Sequence, residues 1–312
     1  MLFLFSFFSL ISYLCSPMKQ IVFALLLSTA FSLTACFNGS YEHQLAEVDS
    51  LLSQVRRDSA YTLFTQISRD DLGRTADRMY YDVLQSELSQ VSIAHGSFNF
   101  DAPRDSVLRR CIDYYEKKDN PRMLLYSCLY MGKVLLESLS MHQEASTYLK
   151  RAEELLSSVD DARLAYQTYE AITTLNYYSG NYDMAMDYSY KTLACAHQSG
   201  NNHMMTYACN HLVVLYLQQQ EKDSVTKYIR QSMKLLNQMP PRDRSYALGN
   251  LAVTMLANDN IDSAEVYFNQ AKNEFPLRFI NQRLAEISYI RGHRERAESL
   301  WNDALQAKDL RD

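Results

Sequence analysis

The chain has 312 residues, with 31 basic and 36 acidic side chains and a formal net charge of −5. That mild acidity argues against a nucleic-acid partner and leaves no basic face for anionic lipid. Eight glycines and six prolines are too few for a disordered or collagen-like chain.

Residues 1–16 form an uncharged apolar run that ends at Pro17. A second run then starts at Met18 with MKQIVFALLLSTAFSLTAC, a basic Lys19 followed by an apolar stretch and small residues before Cys36. This is the plan of a secretory signal. Leu33-Thr34-Ala35-Cys36 resembles the lipobox of bacterial lipoprotein leaders, which implies cleavage before Cys36 and lipidation of its thiol. The expected division is an upstream extension at 1–17, a signal peptide at 18–35, a lipidated tether at 36–41 and a folded domain at 42–312. A membrane hairpin is the other reading of the two apolar runs; Pro17 without a polar loop argues against it. Phe37, rather than an acidic residue, follows the cysteine, and by the same resemblance an outer-membrane position facing the periplasm is expected. Beyond Cys36 the chain holds 30 basic and 36 acidic residues, and no window long and apolar enough to span a bilayer.

From Ala60 onward one pattern returns seven times: a small residue, a larger one four later, and usually a small one three further on. Ala145-Leu149-Ala152, Val225-Ile229-Ser232, Ala264-Phe268-Ala271 and Ala297-Trp301-Ala304 are its clearest copies. Ala60-Phe64-Ile67, Val107-Cys111-Tyr114 and Ala185-Ser189-Thr192 are looser. The spacings run 47, 38, 40, 40, 39 and 33 residues, the mark of stacked helical hairpins. Leu248-Leu251-Ala252-Met255 lines one face of a first helix. Asn258-Asp259-Asn260 makes a turn, and a second helix carries Ala264-Phe268-Ala271. Asp-Ser at 58–59, 105–106, 223–224 and 262–263 precedes the small residue and is expected to cap the second helix. Pro121, Pro240-Pro241 and Pro276 fall between hairpins, and Gly180 and Gly292 within them.

Tyr177-Tyr178-Ser179-Gly180-Asn181-Tyr182-Asp183-Met184-Ala185 resembles the turn signature of the tetratricopeptide repeat family, in its roughly 40-residue variant. The resemblance covers about 42–312 and implies an all-α, right-handed superhelical solenoid of about seven hairpins, of the kind found in lipid-anchored repeat proteins of bacterial envelopes. Such a solenoid is a binding surface rather than a reaction centre.

Cysteines past the leader are Cys111, Cys128, Cys195 and Cys209. Cys128 and Cys209 open equivalent helical sets, so packing is favoured over a disulfide. Cys195-x-His197 and Cys209-x-His211 invite a zinc reading. Residues i and i+2 point about 200° apart on a helix, however, which argues against it. No catalytic motif appears. Carboxylate pairs such as Glu153-Glu154 fall on a helix exit, so no catalytic residue, metal ligand or cofactor is expected.

One slot on successive first helices reads Tyr126, Gln167, Tyr207, Tyr246 and Phe279. Family geometry implies that this slot faces the concave side, with Asn210 beside Tyr207 and with Tyr177, Tyr178 and Tyr289 further along. Tyrosine there suits capture of an extended peptide or glycan, yet packing between repeats would equally explain it. The basic clamp that some repeat proteins use for a C-terminal carboxylate is not evident, and Lys133 is its only candidate. The reading is a non-catalytic lipid-anchored scaffold for a protein or peptide, with glycan capture or sensing of a signalling peptide as alternatives.

Overall fold

A computed structural model describes residues 40–54, 56–95, 105–137 and 141–306, which places the leader and Cys36 outside the described residues. Fourteen α-helices and no strand lie among the described residues. The chain divides into two compact units, the first running to Tyr81 and the second from Asp82.

The first unit holds α1 (Ser40–Ser53), α2 (Arg57–Phe64) and the opening turns of α3 (Thr75–His95). Leu45, Val48 and Leu52 recur on one face of α1 and are buried, as are Ala60 and Phe64 of α2. The Phe64 ring stacks on Tyr81 at 4.3 Å, and Tyr80 donates its hydroxyl proton to Asp49 at 2.8 Å.

In the second unit α3 continues and is followed by α4 (Asp105–Lys117), α5 (Pro121–Glu137), α6 (His142–Leu155), α7 (Ala162–Tyr178) and α8 (Tyr182–Ser199). Then come α9 (Asn202–Gln218), α10 (Lys222–Leu236), α11 (Pro241–Ala257), α12 (Ile261–Glu274), α13 (Arg278–Ile290) and α14 (Arg294–Gln306). From α5 on, odd-numbered helices are first members of hairpins and even-numbered ones second members. The small-large-small pattern holds where the helices press closest. Ala145, Leu149 and Ala152 of α6 are wholly buried, and so are Ala264, Phe268 and Ala271 of α12. Gly132 explains the approach of α5 to α6: a Cβ there would stand 2.6 Å from Leu149 Cδ2. Burying one Phe268-sized side chain contributes about 1.5–3 kcal/mol.

Three copies of the pattern shift. On α10 the buried set is Tyr228, Ser232 and Leu236, with Val225 and Ile229 only partly buried, because the Tyr228 ring stacks on Tyr216 at 5.7 Å. On α4 Tyr115 rather than Tyr114 completes the buried stripe Leu108, Cys111, Ile112. On α14 Leu300 is buried while Trp301, lying 5.9 Å from Tyr289, stays 37% exposed. The Asp-Ser pairs are corrected too. Asp58, Asp223 and Asp262 sit inside the first turn, where their charge suits the helix dipole, and it is Asn260 that caps α12 by accepting from Ser263 N. Side-chain caps instead begin the first helices α5, α7 and α9, while α11 starts at Pro241 after Pro240 with no side-chain cap. Asn120 accepts from Met123 N, Asp161 from Leu164 N, and Asn201 from His203 N and Met204 N.

Gly180 and Gly292 turn the α7–α8 and α13–α14 hairpins with φ of 74° and 80°; Gln220 and Asp259 take the same left-handed place in the two hairpins between, at 60° and 56°. Consecutive first helices from α5 to α11 touch one another, whereas, among the described residues, consecutive second helices make no contact of that extent. The first helices therefore form the inner layer of this unit.

Candidate ligand-binding face

Side-chain caps on α5, α7 and α9 and Pro241 on α11 fix where these helices begin, and so which residues repeat along the inner layer. The second residue of α5, α7, α9 and α11 is Arg122, Arg163, His203 and Arg242; four residues on stand Tyr126, Gln167, Tyr207 and Tyr246. A basic group thus stands one turn ahead of each slot residue, close enough to stack on an aromatic one.

At the α5–α7 end these groups converge on one buried carboxylate, Glu87 of α3. Tyr126 donates its hydroxyl proton to Glu87 Oε2 in a short bond. Arg163 Nη1 donates to the same oxygen at 2.5 Å, and Gln167 Nε2 donates to Glu87 Oε1 at 2.9 Å. The Arg163 guanidinium lies 5.1 Å from the Tyr126 ring centroid, and Tyr130 donates to Gln167 Oε1 at 3.2 Å. Glu87, Tyr126, Tyr130 and Arg163 are all buried. One turn further along, Lys133 Nζ meets Glu170 Oε2 at 3.1 Å. His211 lies beside that pair. Its Nδ1 is buried without a hydrogen-bond partner, and burial pushes its pKa down, with Glu170 opposing and Lys133 adding to the fall.

The α9–α11 end is looser. Tyr207 is half-buried, and the His203 ring stacks on it at 5.3 Å and 11° while His203 Nε2 lies 3.3 Å from Asp243 Oδ1. Tyr246 is buried and stacks on half-buried Phe279 at 5.7 Å. Asn210 is buried as well, its Nδ2 directed at Ala247 O and its Oδ1 accepting from Ser232.

The eight expected residues therefore do not form one site. Tyr126, Tyr246 and Asn210 are buried, Tyr126 beneath Glu87 and Arg163, Tyr246 against Phe279, and Asn210 against Ala247 and Ser232. Tyr207 and Phe279 keep a partly open edge on the inner layer. Tyr178, 61% exposed, leaves that layer for the hairpin turn, where it meets His142 at 6.3 Å and Tyr177 at 5.8 Å. Tyr177 also accepts a long hydrogen bond from Gln218, and exposed Tyr289 lies against Trp301. Missed by sequence reasoning were Glu87, Arg163 and Glu170 as the partner of Lys133. The recurrence of Arg122, Arg163, His203 and Arg242 at 41, 40 and 39 residues was the available signal.

The four described cysteines are free thiols. Burial raises the pKa of Cys195, and pushes those of Cys128 and Cys209 up to about 12, so these thiols stay protonated at neutral pH. No group of three or more His, Cys, Asp or Glu among the described residues could hold a metal ion. No described helix is long and apolar enough to cross a membrane.

Helical hairpins in series, with the first helices inside, define a tetratricopeptide-like repeat fold. No family model and no curated protein matches the chain. Among solved structures, it is similar to a Rap protein complexed with competence and sporulation factor, with a TM-score of 0.59, 14% identity, and 86% of this chain and 76% of that one covered. The apo form of RapI gives 0.52 at 12% identity, covering 87% and 77%. The Rap conjugation gene regulator of plasmid pLS20, in complex with the Phr* peptide, gives 0.51 at 15% identity, covering 86% and 73%. At these identities the likeness establishes the fold.

Proposed function

We propose that the inner layer of the second unit binds an extended peptide or protein segment without chemical turnover. The observation that carries this is the partly open stretch from Lys133 and Glu170 to His203 and Tyr207. It holds the His203–Tyr207 stack with Asp243 beside His203, and the Lys133–Glu170 ion pair further along, on a layer built from four contacting helices. An extended peptide needs partners for its unpaired backbone groups, and Gln167, Lys133, Glu170 and His203 provide donors and acceptors for them. Two proteins of similar fold are known in complex with competence and sporulation factor and with the Phr* peptide, which favours sensing of a signalling peptide as the specific form of this reading. Leu33-Thr34-Ala35-Cys36 adds the proposal of a lipid tether that holds this face in a bacterial envelope, at the outer membrane.

Selection of a random peptide library on the full chain tests the binding reading. Selected peptides should lose at least tenfold in affinity for His203→Ala/Tyr207→Ala, with helical content unchanged. Equal affinity for the variant would remove this face from the function, and selective retention of arrayed glycans in place of peptides would favour sugar capture. For the tether, Cys36→Ala should move the protein from the membrane to the soluble fraction.

A further inference from the structure

We infer that Tyr126, Arg163 and Gln167 form a carboxylate-binding site, that Glu87 fills it from within the chain as a latch, and that a ligand carboxylate displaces Glu87. The last clause rests on the peptide-binding reading; the first two do not.

The three donors belong to α5 and α7. These helices are held to each other independently of α3, by direct contact, by the Arg122–Asp161 ion pair at 2.9 Å and by Lys133–Glu170. The receptor therefore exists without its occupant. Glu87 comes from α3, 76 residues from Arg163 and 80 from Gln167 in sequence. Its two oxygens take three side-chain donors: a guanidinium N–H, a phenol and an amide. That set matches the lone pairs of a carboxylate, and charge-assisted bonds of this kind are the strong ones.

The ladder shows why an outside acid is needed here. Arg122 pairs forward with Asp161, and His203 faces forward to Asp243. Asp161 stands just before α7 and Asp243 is the third residue of α11; the corresponding places of α9, ahead of Arg163, hold Asn201 and Met204, which carry no charge. Arg163 thus takes an acid from behind, from a different element. A buried ion pair is a poor device for stability, since apolar side chains of similar size commonly do as well. An exchangeable occupant gives it a use. An acidic side chain or a C-terminal carboxylate of a bound peptide, lying along α5 and α7, presents the same group that Glu87 presents. Taking its place releases the 82–95 stretch of α3.

The full chain carrying Glu87→Gly tests the site. Its melting temperature should lie below that of the wild type and rise by about 2–4 °C as propionate fills the space left by the side chain. Sodium chloride at the same ionic strength should give no such rise, and neither should propionate with the wild type or with Glu87→Gly/Arg163→Met. A Glu87→Gly chain that responds to propionate no more than to chloride overturns the proposal. If that variant does not fold, the wild type decides. Hydrogen exchange across residues 82–95 should quicken at least twofold in propionate and not in propionamide, and equal exchange in the two overturns the latch. Acetylglutamate amide and acetylalanine, tested as the free acid, separate a side-chain from a C-terminal carboxylate by whichever gives the larger shift. A propionate response in a protein that selects no peptide would uphold the site while removing the peptide reading.

Discussion

Tyr126 and Tyr207 hold the same register position two hairpins apart, yet one is walled in and the other keeps an open edge. The difference does not lie in their own helices. Tyr126 is closed over by Glu87 arriving from α3 and by Arg163 stacking from α7, while the ring stacked on half-buried Tyr207 is that of His203, from its own helix. Repetition fixes where a side chain starts; neighbours from outside the repeat decide whether it is surface or core. The comparison breaks most visibly at the basic ladder. Arg163→Ala leaves the Glu87 carboxylate buried and uncompensated and should cost about 3–5 kcal/mol in urea unfolding. His203→Ala removes a partly exposed pair and should cost no more than about 1 kcal/mol. Equal losses would mean that the two ends of the inner layer are not distinct.

A second contrast, smaller in effect, sets two glycines against each other. A methyl on Gly132 would meet both Cγ and Cδ2 of Leu149 at 2.6 Å, and Leu149 is wholly buried with nowhere to move. A methyl on Gly249 would meet the rim of Phe279 at 2.6 and 3.0 Å, and that ring is only half-buried. Overpacking costs about 1–3 kcal/mol where the neighbour cannot give, against a helix-propensity gain near 1 kcal/mol for either change. Gly132→Ala should therefore lower the melting temperature, and Gly249→Ala should leave it nearly unchanged. A larger loss at Gly249 would show that the Tyr246–Phe279 stack is as rigid as the hairpin interior.

Much of the architecture could be read from the chain because the repeat is local. Ala145, Leu149 and Ala152 report one helix packing on its hairpin partner, and that relation recurs within each period of about 40 residues. The shifted copies show the limit of spacing. Ile229 and Tyr228 are both large enough for the buried slot, and the ring of Tyr216 on the facing helix decides between them. The functional face was less legible for the same reason carried further. Tyrosine in a repeating slot announces the inner layer, but Glu87 lies outside the repeating slots and reaches Gln167 across 80 residues. No period reveals such a contact. The capping acids were misjudged because Asp-Ser is a good cap by composition, whereas cap or first turn is settled by a shift of one or two residues in where the helix begins.

The two histidines of α9 give the finest test of closed against open. His203 has its ring on Tyr207 and its Nε2 toward Asp243, whereas His211, two turns on, has a buried Nδ1 with no partner and Lys133 near its charge. Burial, chiefly, holds the His211 pKa below its ordinary value of 6.5, with Glu170 recovering part of the loss. The unfolded chain therefore takes up this proton more readily than the folded one. Stability associated with neutral His211 is in full force above about pH 6.5 and is lost as the pH falls below it toward the depressed folded value. Urea unfolding at pH 7.5 and pH 5.5 should show a drop in stability for the wild type that is smaller in His211→Asn. Replacing Glu170 by Gln should deepen the wild-type drop, since the carboxylate that steadies the charged ring is gone. If His211→Asn loses as much stability on acidification as the wild type, the closed stretch of the inner layer ends before α9, and His211 belongs with the open face.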